Sequence, residues 1–334
     1  MTTGESNTPI QGAETILDPE LEIIDPHHHL ADYFDPPYLL DDLLRDTGSG
    51  HNVTGTVFIE CGWDWSESEG PSNASAVAEV QRVAASAAES LSRRGAVIRG
   101  IVGYADLRHG AAADLALDEL AEAGDGKLVG IRHAALWDPT PGLFAHRSRP
   151  TEHLMGDETF RAGIARVARR NLTFDALVSH QQIPDVTELA RAFPDTLIVL
   201  NHLGCPLSVG PYADHADEVF ARWREAMVEL QRNPNVFVKL GGIGMSVMRL
   251  RRPSDESTRA TSADLAEAWG GHIRWCIDLF GPDRCMFESN FPVDRHTCEY
   301  NVLWNAFKLM VADASEAEKA ALFRETARTA YSLT

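Results

Sequence analysis

Three consecutive histidines, His27, His28 and His29, follow Asp25-Pro26 at the end of the first strand-like stretch of the chain. Alternate residues of a strand share a face, so His27 and His29 point together and His28 points away. Two imidazoles placed like this make half of a metal site or of an acid–base pair. His180 ends a later strand-like run, and His202 ends another within Val199-Leu200-Asn201-His202-Leu203-Gly204. A lone histidine there is more often a packed core residue than a ligand. Four of them at the carboxyl ends of three strands converge on one pocket if the strands belong to one parallel barrel.

Two cations stand in similar places. Arg132 ends another apolar run, and a guanidinium grips a carboxylate through two parallel hydrogen bonds. Lys239 follows Val236-Phe237-Val238, which puts an ammonium on an apolar strand. Both are read as handles for an anionic substrate. His133 and Trp63 also follow strands and are read as substrate contacts. Trp65 and Trp137 stand in equivalent places, and packing or loop roles account for these four equally well.

The elements that must hold these residues form a regular alternation. Strand-like runs cover residues 22–26, 53–62, 97–106, 128–134, 172–179, 196–204, 235–244 and 284–292. Helical patterns lie between them near 73–93, 111–123, 157–170, 184–193, 215–232 and 262–280. Two more follow near 298–312 and 315–332, the second opened by a capping box of Ser315 and Glu318. Eight strands alternating with helices read as a distorted (β/α)8 barrel, class α/β. An open doubly wound sheet is the other reading, but no glycine-rich phosphate loop follows any strand. Residues 1–20 are polar and aperiodic and read as an N-terminal arm, with the barrel domain over 21–334. Insertions at 135–156 and 245–262, after the fourth and seventh strands, fall on the side where such barrels bind substrate.

The 334 residues are 44% hydrophobic and 24% charged, an ordinary globular composition for one large barrel. A formal net charge of −19 argues against a nucleic-acid partner, because phosphate contacts need clustered Lys and Arg. Five cysteines, an odd number without a CxxC pair, argue against a disulfide framework and a thiolate zinc site. No signal-peptide pattern and no long apolar run is evident, so a cytoplasmic enzyme without membrane contact is expected.

The ordered set Asp25-x-His27-x-His29, Gly130-Ile131-Arg132, Phe174-Asp175 through His180-Gln181, Leu200-Asn201-His202-Leu203-Gly204-x-Pro206, Val238-Lys239-Leu240 and Met286-Phe287-Glu288-Ser289-Asn290-Phe291-Pro292 resembles the amidohydrolase superfamily. The similarity is to its amidohydrolase-2 branch, which includes 2-pyrone-4,6-dicarboxylate lactonase and sugar lactonases, and it spans about residues 22–333. The resemblance implies hydrolysis of a lactone, ester or amide in a homo-oligomer, and with Arg132 and Lys239 as anion handles the expected enzyme is a lactonase that opens the carboxylic ester bond of a small anionic lactone with water. A metal-dependent decarboxylase of a small aromatic or enoic acid is the second reading, and a non-catalytic ligand-binding barrel the third. Some relatives act without metal. Others hold one zinc ion, for which His27, His29 and His180 are the ligands expected here. The family's eighth strand usually ends Gly-Ser-Asp-x-Pro, its Asp serving as ligand or base, where this chain has Asn290. An amide takes no proton at neutral pH. Glu288, two residues earlier on the same face, is therefore expected to supply the base, with Asn290 orienting water or substrate and Asp294 as a weaker substitute. His202, or the metal, is expected to polarise the carbonyl.

Overall fold

The computed structural model describes residues 14–63, 65, 71–144, 148–248 and 259–334. Eight parallel strands run in chain order around one sheet: β1 (Glu22–His28), β2 (Asn52–Ile59), β3 (Val97–Tyr104), β4 (Leu128–Arg132), β5 (Thr173–Ala176), β6 (Ile198–Leu200), β7 (Val236–Leu240) and β8 (Cys285–Phe287). The segment after β8 returns to the end of β1, where Asn290 N donates to His27 O (2.9 Å) and His29 N to Phe291 O (2.8 Å). The architecture is the expected (β/α)8 barrel. All eight expected strands are present. β5, β6 and β8 end earlier than anticipated because their last residues bend into turns that carry His180, His202 and Asn290.

Strand alternation divides the apolar residues between two cores. Ile23, Phe58, Ile101, Phe174, Val236 and Phe287 face outward and pack on the helices. Ile24, Val57, Val102, Val199, Phe237 and Met286 face inward as a separate cluster, joined by Ala327, Ala330 and Tyr331 of the carboxyl-terminal tail. The tail reaches that interior through an unexpected device. One helix is expected over 315–332, but two short helices (Glu316–Ala320 and Thr326–Ala330) flank a π-helical turn at Ala321–Glu325. The wider turn rotates the buried face, so Leu322 and Phe323 serve the outer core while Ala327 and Tyr331 serve the inner one. The Ser315–Glu318 capping box is present, with Ser315 N donating to Glu318 Oε2 at 2.8 Å.

A short helix, α1 (Leu40–Thr47), was not anticipated, although its buried Leu40, Leu43, Leu44 and Thr47 have helical spacing. Part of the expected arm packs on the helix Tyr300–Met310: Lys308 Nζ donates to Leu17 O and Asp18 O, each at 2.8 Å. Residues 1–13 of that arm, 145–147 of the first insertion and 249–258 of the second lie outside the described residues. All five cysteines are free, and no described helix is long and apolar enough to cross a membrane.

Candidate active site

The inward positions just above the inner apolar layer carry charge. Two residues beyond Phe237 is Lys239, and two beyond Met286 is Glu288. Arg132 of β4 and Asp175 of β5 join them, and each of the four is at most 4% exposed. Such burial is tolerable only with compensation. Asp175 accepts from Lys239 Nζ (2.9 Å), Asn201 Nδ2 (2.9 Å) and the Tyr331 hydroxyl (2.8 Å). Arg132 Nε donates to Glu60 Oε1 at 2.6 Å, and Arg132 Nη2 donates to Glu60 O.

On this layer two imidazoles, His27 and His202, flank one carboxylate, and a third, His29, adjoins His27. Glu288 Oε1 accepts from His202 Nδ1 at 2.6 Å and from His202 N at 3.3 Å. Its Oε2 lies 2.7 Å from His27 Nδ1 but accepts no well-aligned hydrogen bond. His27, His202 and Glu288 each offer a metal-binding atom, all within 4.8 Å of one another. His29 Nε2 lies 3.2 Å from His27 Nε2 and 3.3 Å from Asn290 Oδ1, while its Nδ1 lies 2.8 Å from Ile59 O. Burial pushes both His27 and His29 well below the usual imidazole range, and neighbouring cations add to the effect, so both are neutral.

Local backbone geometry makes this possible. His202, Leu203 and Cys205 take positive φ values of 53°, 57° and 42°, a conformation costly for non-glycine residues. Trp223 Nε1 holds the turn through Leu203 O at 2.7 Å. Asn290 has φ 55°, which asparagine tolerates better than most residues. Gly241 and Gly242 then leave room for the dyad. A Cβ on Gly241 would meet Glu288 Cγ at 2.3 Å, and one on Gly242 would meet His202 Nδ1 at 2.6 Å.

The cluster opens on a cavity of about 350 Å³ at the carboxyl ends of the strands. Its polar side chains include His29, Tyr33, Glu60, Arg132, His202 and Asn290, and its apolar walls include Trp65, Leu136, Phe144, Leu177, Met245 and Val247. Both insertions therefore contribute walls. With Nδ1 bound to Glu288, Nε2 is the nitrogen that His202 has left for a substrate.

Several expected site residues stand elsewhere. His180 does not join His27 and His29. It packs edge-on against Tyr212 (5.4 Å) and lines a separate cleft with His215 and Arg222, because the chain turns outward after β5. Lys239 lies beneath His27, 3.3 Å from its Nδ1, and spends its charge on Asp175. His133 packs between Tyr104 and Phe160, and Trp63 donates to Asp32 Oδ1 (3.1 Å), so neither lines the cavity. Trp65 takes the wall position instead. Glu288 is wholly buried behind the imidazoles rather than facing the cavity. Asp294 is also buried, accepting from Asn290 Nδ2 and Gly244 N at 2.8 Å each. Burial pushes its carboxyl up to about 8, which keeps it protonated at neutral pH and unsuited to take a proton. Glu60, Tyr331 and the Gly241-Gly242 pair were not anticipated. An acidic residue directly after Val57-Phe58-Ile59 is the signal that could have identified Glu60.

A family model described as amidohydrolase matches residues 24–333. An L-fucono-1,5-lactonase of Burkholderia multivorans is 31% identical over 241 residues, 71% of this chain and 72% of its own. An uncharacterized protein of Sinorhizobium fredii is 32% identical over 334 residues, 93% of this chain and 99% of its own. A crystal structure of an amidohydrolase from Burkholderia multivorans with bound zinc superimposes with a TM-score of 0.70 at 24% identity, covering 93% of this chain and 99% of that one. With a match that runs from β1 to the tail, the chain belongs to the amidohydrolase family.

Proposed function

We propose that this protein is a lactonase that opens a small cyclic ester with water, and that His202 is its general base. The observation that carries this reading is the His202–Glu288 pair at the floor of the cavity. A carboxylate at 2.6 Å fixes the Nδ1–H tautomer, directs the Nε2 lone pair to the cavity and steadies the imidazolium formed when a proton arrives. His202 Nε2 takes a proton from water as the oxygen attacks the lactone carbonyl. The same nitrogen then returns it to the ring oxygen as the C–O bond breaks, giving a hydroxy acid. Arg132 lines the cavity, and its guanidinium is the cationic group available to steady the developing oxyanion. The lactonase relative from Burkholderia multivorans supports the reaction class.

The floor also fits a divalent cation. His29 Nδ1 must donate to the Ile59 carbonyl, so its Nε2 presents a lone pair. Glu288 Oε2 and Lys239 Nζ both face His27 Nδ1, and Arg132 Nη1 donates towards His27 Nε2 at 3.4 Å, which marks Nε2 as an acceptor as well. Asn290 commits its amide nitrogen to Asp294, so its oxygen faces His29. His29 Nε2 thus stands between two further acceptors, 3.2 Å from His27 Nε2 and 3.3 Å from Asn290 Oδ1. Two nitrogens on one tetrahedral zinc ion stand about 3.3 Å apart given the usual Zn–N length, close to the 3.2 Å between His27 Nε2 and His29 Nε2. We therefore assign zinc to His27, His29 and Asn290, with Asn290 in place of the expected His180. Bound there, the ion would polarise the carbonyl and acidify water.

Purified protein is assayed on a lactone panel by titrating released acid, alongside metal analysis before and after chelation. Saturable acid release, lost in His202→Asn, is expected. A folded protein that opens no lactone in the panel refutes the proposal.

A further inference from the structure

The cavity also carries information about the substrate, and this inference rests on the lactonase reading above. Among the described residues, Arg132 is the one cation in the cavity wall, and its guanidinium is already held by the Glu60 side chain and backbone. Lys239, the other expected anion handle, is fully buried under the floor. Glu60 itself faces the cavity and repels a second carboxylate. A dianionic ring therefore finds, in the described wall, a single positive partner that is already shared with Glu60.

A polyhydroxylated ring fares little better. Specific binding of a sugar requires polar groups placed to meet its hydroxyls, and a buried hydroxyl without a partner is unfavourable. Several polar wall atoms are committed to one another: His29 to Ile59 and Asn290, the Asn290 amide nitrogen to Asp294, and Glu60 Oε1 to Arg132. Tyr33, at the rim, donates to Cys61 O at 2.6 Å. What remains is chemically two-sided. One end is a polar floor that suits an ester group. Among the described residues, most of the rest is apolar, built from Trp65, Leu136, Phe144, Leu177, Met245 and Val247 on four different loops. At about 350 Å³ the space exceeds a lone five- or six-membered lactone ring and falls in the range that holds a substituted one.

We infer that the preferred substrate is a neutral lactone bearing an apolar alkyl or aryl substituent, with its ester on the histidine floor and its substituent against the aliphatic and aromatic wall. Burial of each methylene there raises kcat/KM by about fourfold until the wall is covered, from about 0.8 kcal/mol per CH₂.

The test compares kcat/KM for δ-lactones carrying methyl to hexyl chains with that for an unsubstituted δ-lactone, an aldonolactone and a pyrone dicarboxylate. A parallel binding series uses non-hydrolysable rings, 2-alkyltetrahydropyrans against a 1,5-anhydroalditol. Rising kcat/KM with chain length, an aldonolactone at least tenfold poorer, and tighter binding of the alkyl ring are expected. Leu177→Asn should flatten the chain-length series. An aldonolactone or dicarboxylate that matches the alkyl lactones, or an anhydroalditol that binds more tightly than its alkyl counterpart, overturns the inference. Alkyl rings that bind while every lactone resists hydrolysis would uphold the ligand class and refute the catalytic reading.

Discussion

Replacing Glu288 with glutamine tests the floor of the site most directly. The carboxylate takes two donors from His202, at 2.6 and 3.3 Å, and lies 2.7 Å from His27 Nδ1 and 4.0 Å from Lys239 Nζ. Glutamine keeps the shape. Its oxygen can still face His202, but its amide then points at His27 Nδ1 and the lysine, where a donor meets a proton and a cation. Turning the amide over places that mismatch on His202. Either way the negative charge that steadies the imidazolium is gone. Loss of one charge-assisted hydrogen bond alone is worth about 1.5–3 kcal/mol, or about 10- to 150-fold. Full loss of general-base assistance is worth about 10² to 10⁴. The expected fall in kcat is therefore about 10² to 10³, with KM within a few-fold because Glu288 does not touch the cavity. Initial rates of acid release at saturating lactone measure it, and calorimetric melting confirms a folded protein. Glu288→Asp restores the charge but falls one methylene short of both rings, so it should recover only part of the rate. A folded Glu288→Gln protein with kcat within threefold of the parent would refute the dyad.

Three further outcomes follow from the same geometry. Burial pushes His28 down to about 3, so above pH 6.5 its full contribution to stability is present, and as pH falls towards 3 the unfolded chain is protonated first. Stability should fall by about 1.4 kcal/mol per pH unit on this account, and His28→Phe, which keeps the edge-on packing on Phe58, should remove that slope in denaturant titrations at pH 7, 6 and 5. Glu60→Gln should lower unfolding free energy by about 3 kcal/mol by leaving a buried guanidinium unpaired, and the freed Arg132 should shift relative kcat/KM towards carboxylated lactones; unchanged selectivity would argue that Arg132 does not reach the substrate. Gly242→Ala places a methyl group 2.6 Å from His202 Nδ1 at φ 68° and should cut kcat at least tenfold, whereas Gly281→Ala, at φ 84° with nothing within 4 Å, should lower the melting temperature and spare the rate.

The barrel was legible because its signal is periodic. Alternation of apolar residues recurs through all eight strands, and it also places Lys239 and Glu288 on the inner face. Alternation gives direction but not depth. Lys239 and Arg132 point inward as expected, yet one lies under the floor with Asp175 and the other is occupied by Glu60. Their partners come from strands distant in sequence, and no local pattern announces such pairing. His180 illustrates a second limit. It follows β5 as His202 follows β6, but the chain after β6 takes four consecutive positive φ angles, from His202 to Cys205, and turns its histidine inward. That turn depends on Trp223, Gly204 and the space left by Gly242, not on the histidine itself. The change from Asp to Asn at position 290 was visible in sequence, but its chemical meaning required knowing that Asp294 occupies the amide nitrogen.

The seam between β1 and the segment after β8 has a further consequence. His27 and His29 lie at one end of the chain and Glu288 and Asn290 at the other, and the hydrogen bonds that close the barrel are made by His27 and His29 themselves. No contiguous half of the polypeptide contains the machinery. A chain emerging during synthesis carries two inert fragments of a site until the last strand seats against the first. Contacts across so long a loop are costly in entropy and tend to form late. Ring closure therefore arms the protein: chemical competence and topological completion are a single event.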